Sequence, residues 1–527
     1  MTGPETDGTT WYAANAPALP ARRRLGVDLD VDVCVVGGGL AGLTVARELA
    51  LRGWSVALLE ARRIAWNASG RNAGFVLPGF SQSEDRIIAR VGLDHAKALW
   101  RLSEEGVDYV RKTIRAEKMR GADPVSGWLS VSKSDAPDEI ARRRHLLRRS
   151  LGAEVEAWPT EKLRAVLKTD RYFQALHFPR ALHVNPLNYA LGLAAAAEAA
   201  GARLYEETPV LSIDPAGIRK RIVTPQARLR AQHVVLAGNV HLGKIAPRVS
   251  ETLLPIWTYV LVSEPLGERL PQAIAYRGAV SDGDRADNHY RIVGGDRLLW
   301  SGRMTTWEAS PAGRVPALRA ALKRVYPQLG DVSFSHAWTG ALGRPVHGMP
   351  QIGQFSPGIW LASGFAGHGL NTTAMAGTLI ARAIAEGDDA WRLFLPVELV
   401  WAGGAPGRVA AQAFYWGARI RERLVEPAAR FGALFGATEP LVESEPIAPV
   451  AEPPGDAASA QEAGVEETTV QEATAPPAPA TEPKKPPRKR SAAADPGGKP
   501  PARRRKKEDP VAAEPESRPE LAPDETV

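Results

Sequence analysis

The sequence predicts an α/β fold: a Rossmann-type dinucleotide-binding domain split along the chain, with an inserted α+β substrate domain and a disordered C-terminal tail. The inserted domain is expected to contain a mixed or antiparallel sheet. Three observations carry this reading. Residues 33–60 run as an apolar strand, a G-x-G-x-x-G turn, a helix and a second strand ending at Glu60. A second glycine-rich strand–helix junction, Ser363 to Asn371, lies far downstream. After Thr438 aromatic residues vanish and Pro, Ala, Glu and Lys dominate.

Each part of the first unit has a physical task. Val33 to Val36 reads as a buried parallel strand. Gly37 allows a tight turn, Gly39 lets backbone approach a pyrophosphate, and Gly42 lets the helix pack on the strand. Gly38, Leu40 and Ala41 complete that turn. The helix that begins at Leu43 offers unpaired N–H groups and a positive dipole end to phosphate. The second strand, Ser55 to Leu59, delivers Glu60 about 20 residues past the glycines, where a carboxylate accepts from ribose hydroxyls. Ala61 and Arg62 follow it.

The remaining elements follow in order. Residues 1–30 form an irregular N-terminal arm, 31–90 the first cofactor segment, and 91–180 a largely helical part of the substrate domain with helices over 94–118 and 138–150. Residues 181–250 form the second cofactor segment. It holds a helix from Tyr189 to Ala200 closed by Gly201, short strands at 203–205 and around Val210, and the apolar strand Arg228 to Leu236 ending in Ala237-Gly238-Asn239. Period-2 alternation marks 251–335 as the substrate-domain sheet, with strands at 257–262, 289–293 and 298–301 and a helix over 315–326. Residues 336–438 return to the cofactor domain through strand 358–363 and helix 370–385. Residues 439–527 cannot bury enough apolar surface to fold and are read as disordered.

Composition limits the function classes. The 527 residues suffice for two or three domains. The only cysteine, Cys34, lies inside the first strand and can form no intrachain disulfide. The polar, acidic N-terminus lacks an apolar signal region, and no continuous apolar run is long enough to span a bilayer, so a cytoplasmic protein is expected. The net charge of +7 hides a division. The tail carries twelve Lys or Arg against eighteen Asp or Glu, leaving +13 on residues 1–438.

The first motif serves NAD and FAD alike. Three further features favour FAD. The Ser363–Asn371 loop aims another helix N-terminus at a ligand, as a dinucleotide with a large planar ring requires. Ala68-Ser69-Gly70-Arg71-Asn72-Ala73-Gly74 is a small-residue loop suited to passing close to an isoalloxazine. No second G-x-G-x-x-G is present for NAD(P)H, so electrons are expected to come from the substrate and pass to oxygen or a carrier.

With these landmarks the chain resembles the D-amino-acid-oxidase-like family of FAD-dependent oxidoreductases, and within it the bacterial gamma-glutamylputrescine oxidases, over about residues 10–425. The matching stretches are Trp11-Tyr12, Leu59 to Ile64, Trp66 to Gly74, Asn185 to Gly192, Val234 to Asn239, Trp338-Thr339-Gly340, Gly348 to Gly353 and Ser363 to Asn371. The resemblance implies oxidation of a C–N bond to an imine, which water hydrolyses to a carbonyl; the cofactor carries the hard chemistry. It also places the helix N-terminus at the Gly367-His368-Gly369-Leu370 junction beside the flavin N1–C2=O edge, where fixed dipoles stabilise negative charge.

Candidate residues follow from both lines. Cofactor binding is expected from Gly37 to Gly42, Glu60 to Arg62, Ala68 to Asn72, Val210, Ala237, Gly238, Gly364, Gly367, His368, Gly369 and Leu370. His368, Tyr259 and Arg344 are the catalytic candidates, with Tyr290, Arg291 and His347 as further pocket candidates. His368 either packs beside the flavin or fixes its own loop, and Arg71 either faces the cofactor or ties loop to loop. Trp338 is read as core. No metal site is expected.

Departures from relatives narrow the substrate. Leu342 stands where glycine-oxidase-like relatives carry a substrate-binding arginine, and Asn371 where sarcosine-oxidase-like relatives carry a lysine. Without those cations a small α-amino acid loses its charge-assisted partner, which favours a longer amine or polyamine conjugate. Residues 66–74 contain no His and Cys34 is misplaced, so the FAD is expected to be non-covalent. The rival readings are a D-amino-acid or N-methyl-amino-acid dehydrogenase or oxidase, a tRNA-modifying oxidase whose basic clusters (484–490 and 503–507) bind nucleic acid, and a flavin scaffold without turnover. Those clusters meet nucleic acid or membrane through phosphate charge, or they pair with their own acidic flanks. No aromatic residue interleaves them.

Overall fold

The computed structural model describes residues 9–17, 21–283 and 288–417. Two sheets divide them. The first has the order Gln351–Ser356, Ile359–Ser363, Arg228–Leu236, Leu29–Val36, Val56–Leu59 and Arg203–Tyr205. Its four central pairings are parallel; the Gln351–Ser356 edge and the hairpin of Ser212–Asp214 and Lys220–Val223 run antiparallel. Parallel strands buried on both faces are expected as continuous apolar runs. Val56 to Leu59 is buried at every position, and Val33 to Val36 likewise. The Leu40–Leu51 and Gly369–Glu386 helices cover one face together with Pro186–Ala199 and Leu93–Ala116.

The second sheet runs Phe334–Arg344, Leu254–Ser263, Arg297–Thr305, His289–Val293, Ala279–Ser281, Val125–Val131, Ala175–His183 and Phe75–Val76. All its pairs are antiparallel except Ala279–Ser281 with Val125–Val131. Alternation along Leu254–Ser263 sorts its side chains between two cores. Tyr259 and Leu261 enter the core covered by the Val315–Val325 helix, whereas Val260 and Val262 meet Tyr12, Val293, Leu299 and Trp338 on the other face.

The chain therefore enters the first sheet three times and leaves it twice. The strands do not respect the boundaries drawn from composition. Phe75–Val76, the end of Ala175–His183 and the Phe334–Arg344 strand all belong to the second sheet, although all or most of each falls within the expected cofactor segments 31–90, 181–250 and 336–438. Hydrogen-bonding across strands decides membership, and that pairing is not written in the local pattern. The tail expectation for 439–527 lies outside the described residues. Among the described residues no helix is long and apolar enough to cross a membrane.

Candidate active site

The first glycine turn sits at the carboxyl ends of the central parallel strands, where open α/β sheets bind ligands. Gly37 takes φ +115°, and a Cβ there would lie 2.8 Å from the Ala237 carbonyl. At Gly42 a Cβ would stand 2.0 Å from the Gly37 oxygen. The Leu40–Leu51 helix starts from Gly39 with no side-chain cap of its own. Instead the Leu40 N–H donates to Ser69 Oγ at 3.0 Å, which ties the 68–71 turn to the helix N-terminus. Ala41 and Gly42, in the first helical turn, have no intrahelical acceptor for their N–H groups.

Glu60 ends its strand as expected, and its carboxylate accepts from the Gly38 N–H at 2.6 Å and the Arg62 N–H at 2.8 Å. Burial raises its pKa; the two backbone donors oppose that shift and nearby Glu206 adds to it. The Arg62 guanidinium lies over the Trp66 ring at 4.1 Å, and Ala61 is exposed beside it. Val210 is buried with Leu59, Tyr205 and Leu236 beneath the same corner. Ala237 and Gly238 close the turn against Gly37. This donor set fits a dinucleotide: backbone N–H groups and Ser69 for phosphate, and Glu60 for ribose hydroxyls.

The second junction leaves the same carboxyl edge of the sheet, two strands away, because Ile359–Ser363 runs parallel to Arg228–Leu236 and Leu29–Val36. The Gly369–Glu386 helix has His368 at its N-cap, and Gly364 takes φ +69°, where a Cβ would meet Pro345 at 2.6 Å. Ser81 Oγ accepts from the Gly367 N–H at 2.7 Å and lies 3.4 Å from His368 Nδ1. Burial, then the positive fields of His289, Arg143 and Arg344, lower His368 to about 4, so its imidazole is neutral near pH 7. Arg344, half-buried at the end of its strand, thus joins the electrostatic surroundings of His368. Leu370 is buried behind the turn, and Gly369 has open space where a Cβ would stand.

The 66–74 loop runs from the first junction to the second sheet. Gly70 is needed there because a Cβ would lie 2.4 Å from the Ala65 carbonyl. Arg71 ties loop to loop: Nε donates to the Trp66 carbonyl at 3.0 Å and Nη1 to the Thr339 carbonyl at 3.2 Å. Asn72 Nδ2 donates to the Ala68 carbonyl at 2.9 Å, and Asn72 Oδ1 accepts from the Gly74 N–H at 2.7 Å. Asn67 bridges outward, accepting from the Ala341 N–H at 3.1 Å and donating to His241 Nε2 at 2.6 Å. A cavity of about 340 Å³ lies there, lined by Val240, His241, Trp257 and Ala341 among others.

Other candidates are placed elsewhere. Tyr259 is fully buried in the helix-covered core, its hydroxyl 2.8 Å from Thr305 Oγ1, on the sheet face opposite Trp338 and the 66–74 loop. Tyr290 stacks on Trp300 in that same core, with its hydroxyl 2.8 Å from Tyr326. His347 holds its own turn, accepting from the Met349 N–H at Nδ1 and donating from Nε2 to the Glu398 carbonyl. Asn371 is fully buried and donates to the Gly79 and Ser103 carbonyls, so its side chain faces the Leu93–Ala116 helix. Trp338 is core, and its indole also reaches the loop. Sequence reasoning passed over Ser69's tie to Leu40, Ser81, Asn67 and His241, because none forms a pattern with its own neighbours. Among the described residues no cluster of three or more His, Cys, Asp or Glu is arranged to hold a metal.

The family model for FAD dependent oxidoreductase, DAO, matches residues 32–383, more than half of the chain. The chain is a member of this FAD-dependent oxidoreductase family. This FAD enzyme is 32% identical over 382 residues to the gamma-glutamylputrescine oxidoreductase of Escherichia coli K12, covering 71% of this chain and 88% of that protein. It is 30% identical to a probable oxidoreductase, OrdL, of Haemophilus influenzae, covering 71% of this chain and 87% of that one. Among solved structures, glycine oxidase from Geobacillus kaustophilus superposes with a TM-score of 0.60 at 22% identity, over 71% of this chain and 99% of that chain. That likeness establishes the fold.

Proposed function

We propose that this oxidoreductase oxidises a C–N bond of an amine of the polyamine-conjugate type, yielding an imine that water hydrolyses to an aldehyde. The observation that carries the substrate class is the 32% identity with gamma-glutamylputrescine oxidoreductase over 88% of its length. Bound FAD supplies the electron sink. The chain's residues supply the rest. Gly37 to Gly42, Ser69 and Glu60 bind the adenosine diphosphate end, and the 66–74 loop borders the isoalloxazine. The Gly369–Glu386 helix N-terminus, with unpaired N–H groups and its dipole, stabilises negative charge at the N1–C2=O edge. His368, neutral at working pH, and Arg344 border the reacting end; a neutral imidazole adds no second cation against a protonated amine.

The FAD is held without a covalent bond. Cys34 is fully buried in its strand with its thiol pushed up by burial, and 66–74 offers neither Cys nor His. Acid precipitation should therefore release all the flavin into the supernatant. The function is tested by anaerobic bleaching of the flavin absorbance against γ-glutamylputrescine, putrescine, D-alanine, sarcosine and glycine. Fastest bleaching by the polyamine conjugate supports the proposal. Preference for an amino acid moves the enzyme to that class, and no bleaching by any amine removes the enzymatic reading. Peroxide release in air, or its absence with a quinone or dye accepting instead, decides between oxygen and a carrier.

A further inference from the structure

The carbonyls of four consecutive residues, Arg71 to Gly74, are all engaged, by groups far apart in the chain. The Trp338 indole N–H donates to the Arg71 carbonyl at 2.8 Å. The Tyr12 hydroxyl donates to the Asn72 carbonyl at 3.0 Å. Arg291 Nε donates to the Ala73 carbonyl at 2.6 Å, and the Val184 N–H to the Gly74 carbonyl at 2.8 Å. These donors are themselves linked. Arg291 Nη2 donates to the Tyr12 hydroxyl at 3.0 Å, and Nη1 to His183 Nδ1 at 3.0 Å. His183 Nε2 then donates to the Arg277 carbonyl at 2.9 Å, which sets its tautomer.

Three features argue that this is more than packing. Arg291 is buried at 4% exposure, and among the described residues no carboxylate lies within salt-bridge distance of it. A buried cation without a counter-charge is costly and persists where its hydrogen bonds are needed. His183 is held neutral, lowered to about 3 by burial and by Arg291, so it accepts from the guanidinium instead of repelling it. On the loop, the Asn72 and Ala73 N–H groups have no acceptor among the described residues, so two backbone donors are left for a ligand. A Cβ on Gly74 would stand 2.1 Å from the Val184 carbonyl and 2.7 Å from Arg291, so the loop seats directly on this unit.

We propose that Tyr12, Arg291 and His183 form a positioning unit for the isoalloxazine end of the FAD. They hold the 71–74 carbonyls toward the second sheet, so that the loop's amide N–H groups meet the ring. The inference rests on the reading that the 66–74 loop borders the isoalloxazine. It also gives the N-terminal arm a role: Tyr12 lies ahead of the family-matched span of 32–383.

The test uses full-length protein and three variants, Tyr12→Phe, Arg291→Lys and Arg291→Gln. The Phe ring keeps the contact with Trp338 and Val260, so the fold survives. Affinity for FAD is measured by flavin fluorescence, affinity for ADP by competition, and the flavin environment by the visible absorbance of the bound form. The expected result for Tyr12→Phe is roughly tenfold weaker FAD binding and shifted flavin bands, with ADP affinity unchanged. Arg291→Gln should weaken FAD further, with Arg291→Lys intermediate. FAD affinity and spectrum unchanged in Tyr12→Phe and Arg291→Gln overturn the proposal, and so does equal weakening of FAD and ADP, which marks a merely structural role. If wild-type protein binds ADP but draws no spectral shift from FAD, the reading of the loop itself fails instead.

Discussion

The two ends of the cofactor site are built in opposite ways. At the end proposed to take the adenosine, most contacts fall within the local strand–turn–helix–strand unit from Gly37 to Glu60, as backbone N–H groups and one carboxylate, with Ser69 as the added side chain. At the 66–74 loop the shape is imposed from outside, by side chains at positions 12, 291 and 338 that reach its carbonyls. The difference shows which contacts a contiguous motif can encode. Backbone geometry set by glycine spacing is local; side-chain hydrogen bonds across domains depend on how two sheets meet.

The sharpest way to break the first arrangement is Gly42→Ala. Its Cβ would fall 2.0 Å from the Gly37 oxygen, a clash with backbone that no rotamer relieves. We expect a loss of more than about 4 kcal/mol and purification without flavin, checked by the 450 nm absorbance and thermal unfolding. Retained FAD at wild-type stability would show that the turn is not the phosphate site.

The His368 junction gives a pH test. Its folded pKa of about 4 lies below the ordinary histidine value, so its neutral form is stabilised by the fold. That stability is fully present above about pH 6.5 and is lost as pH falls toward 4. With its partial exposure, roughly 2 kcal/mol is expected from this group. His368→Gln should flatten the fall of the melting temperature between pH 6.5 and 4; an unaltered slope would place the acid sensitivity elsewhere.

Glu60→Gln keeps the shape but removes the charge that the Gly38 and Arg62 N–H groups meet. About 1.5 kcal/mol, or more than tenfold in FAD affinity, should be lost. A FAD titration that leaves affinity unchanged would detach Glu60 from the ribose.

The smallest effect is expected where the structure moves a candidate away from the site. Tyr259→Phe removes one hydrogen bond to Thr305 in the helix-covered core, worth about 1 kcal/mol of stability. Turnover should be unchanged. A severalfold fall in kcat at equal stability would return Tyr259 to the reaction.

Much of the fold was legible because its periodicities are local. The parallel strands read as short apolar runs, the Pro186–Ala199 helix as a run ended by Gly201, and the Gly369–Glu386 helix as a run following the glycine-rich loop. What misled was membership. Phe334–Arg344 sits next to the Gln351–Ser363 hairpin in sequence yet pairs with Leu254–Ser263, because ladder hydrogen bonds choose partners by tertiary register. Candidate side chains divided in the same way. Tyr259 and Tyr290 lie on strands of the right domain, but strand alternation turns them into the helix-covered core, while Val260 and Arg291, one residue further on, face the loop side.

The sequence by itself determined the dinucleotide turn, the carboxylate that ends its second strand, and the second glycine junction at 363–371. In each, φ angles, dipole ends and close approaches depend on residues within a few positions. Only the tertiary structure decided that Tyr12 and Arg291 converge on one loop, that Asn371 turns into the core, and that His368 is held neutral. Those outcomes depend on burial and on charges brought together from distant segments, and neither is a property of any short stretch of chain.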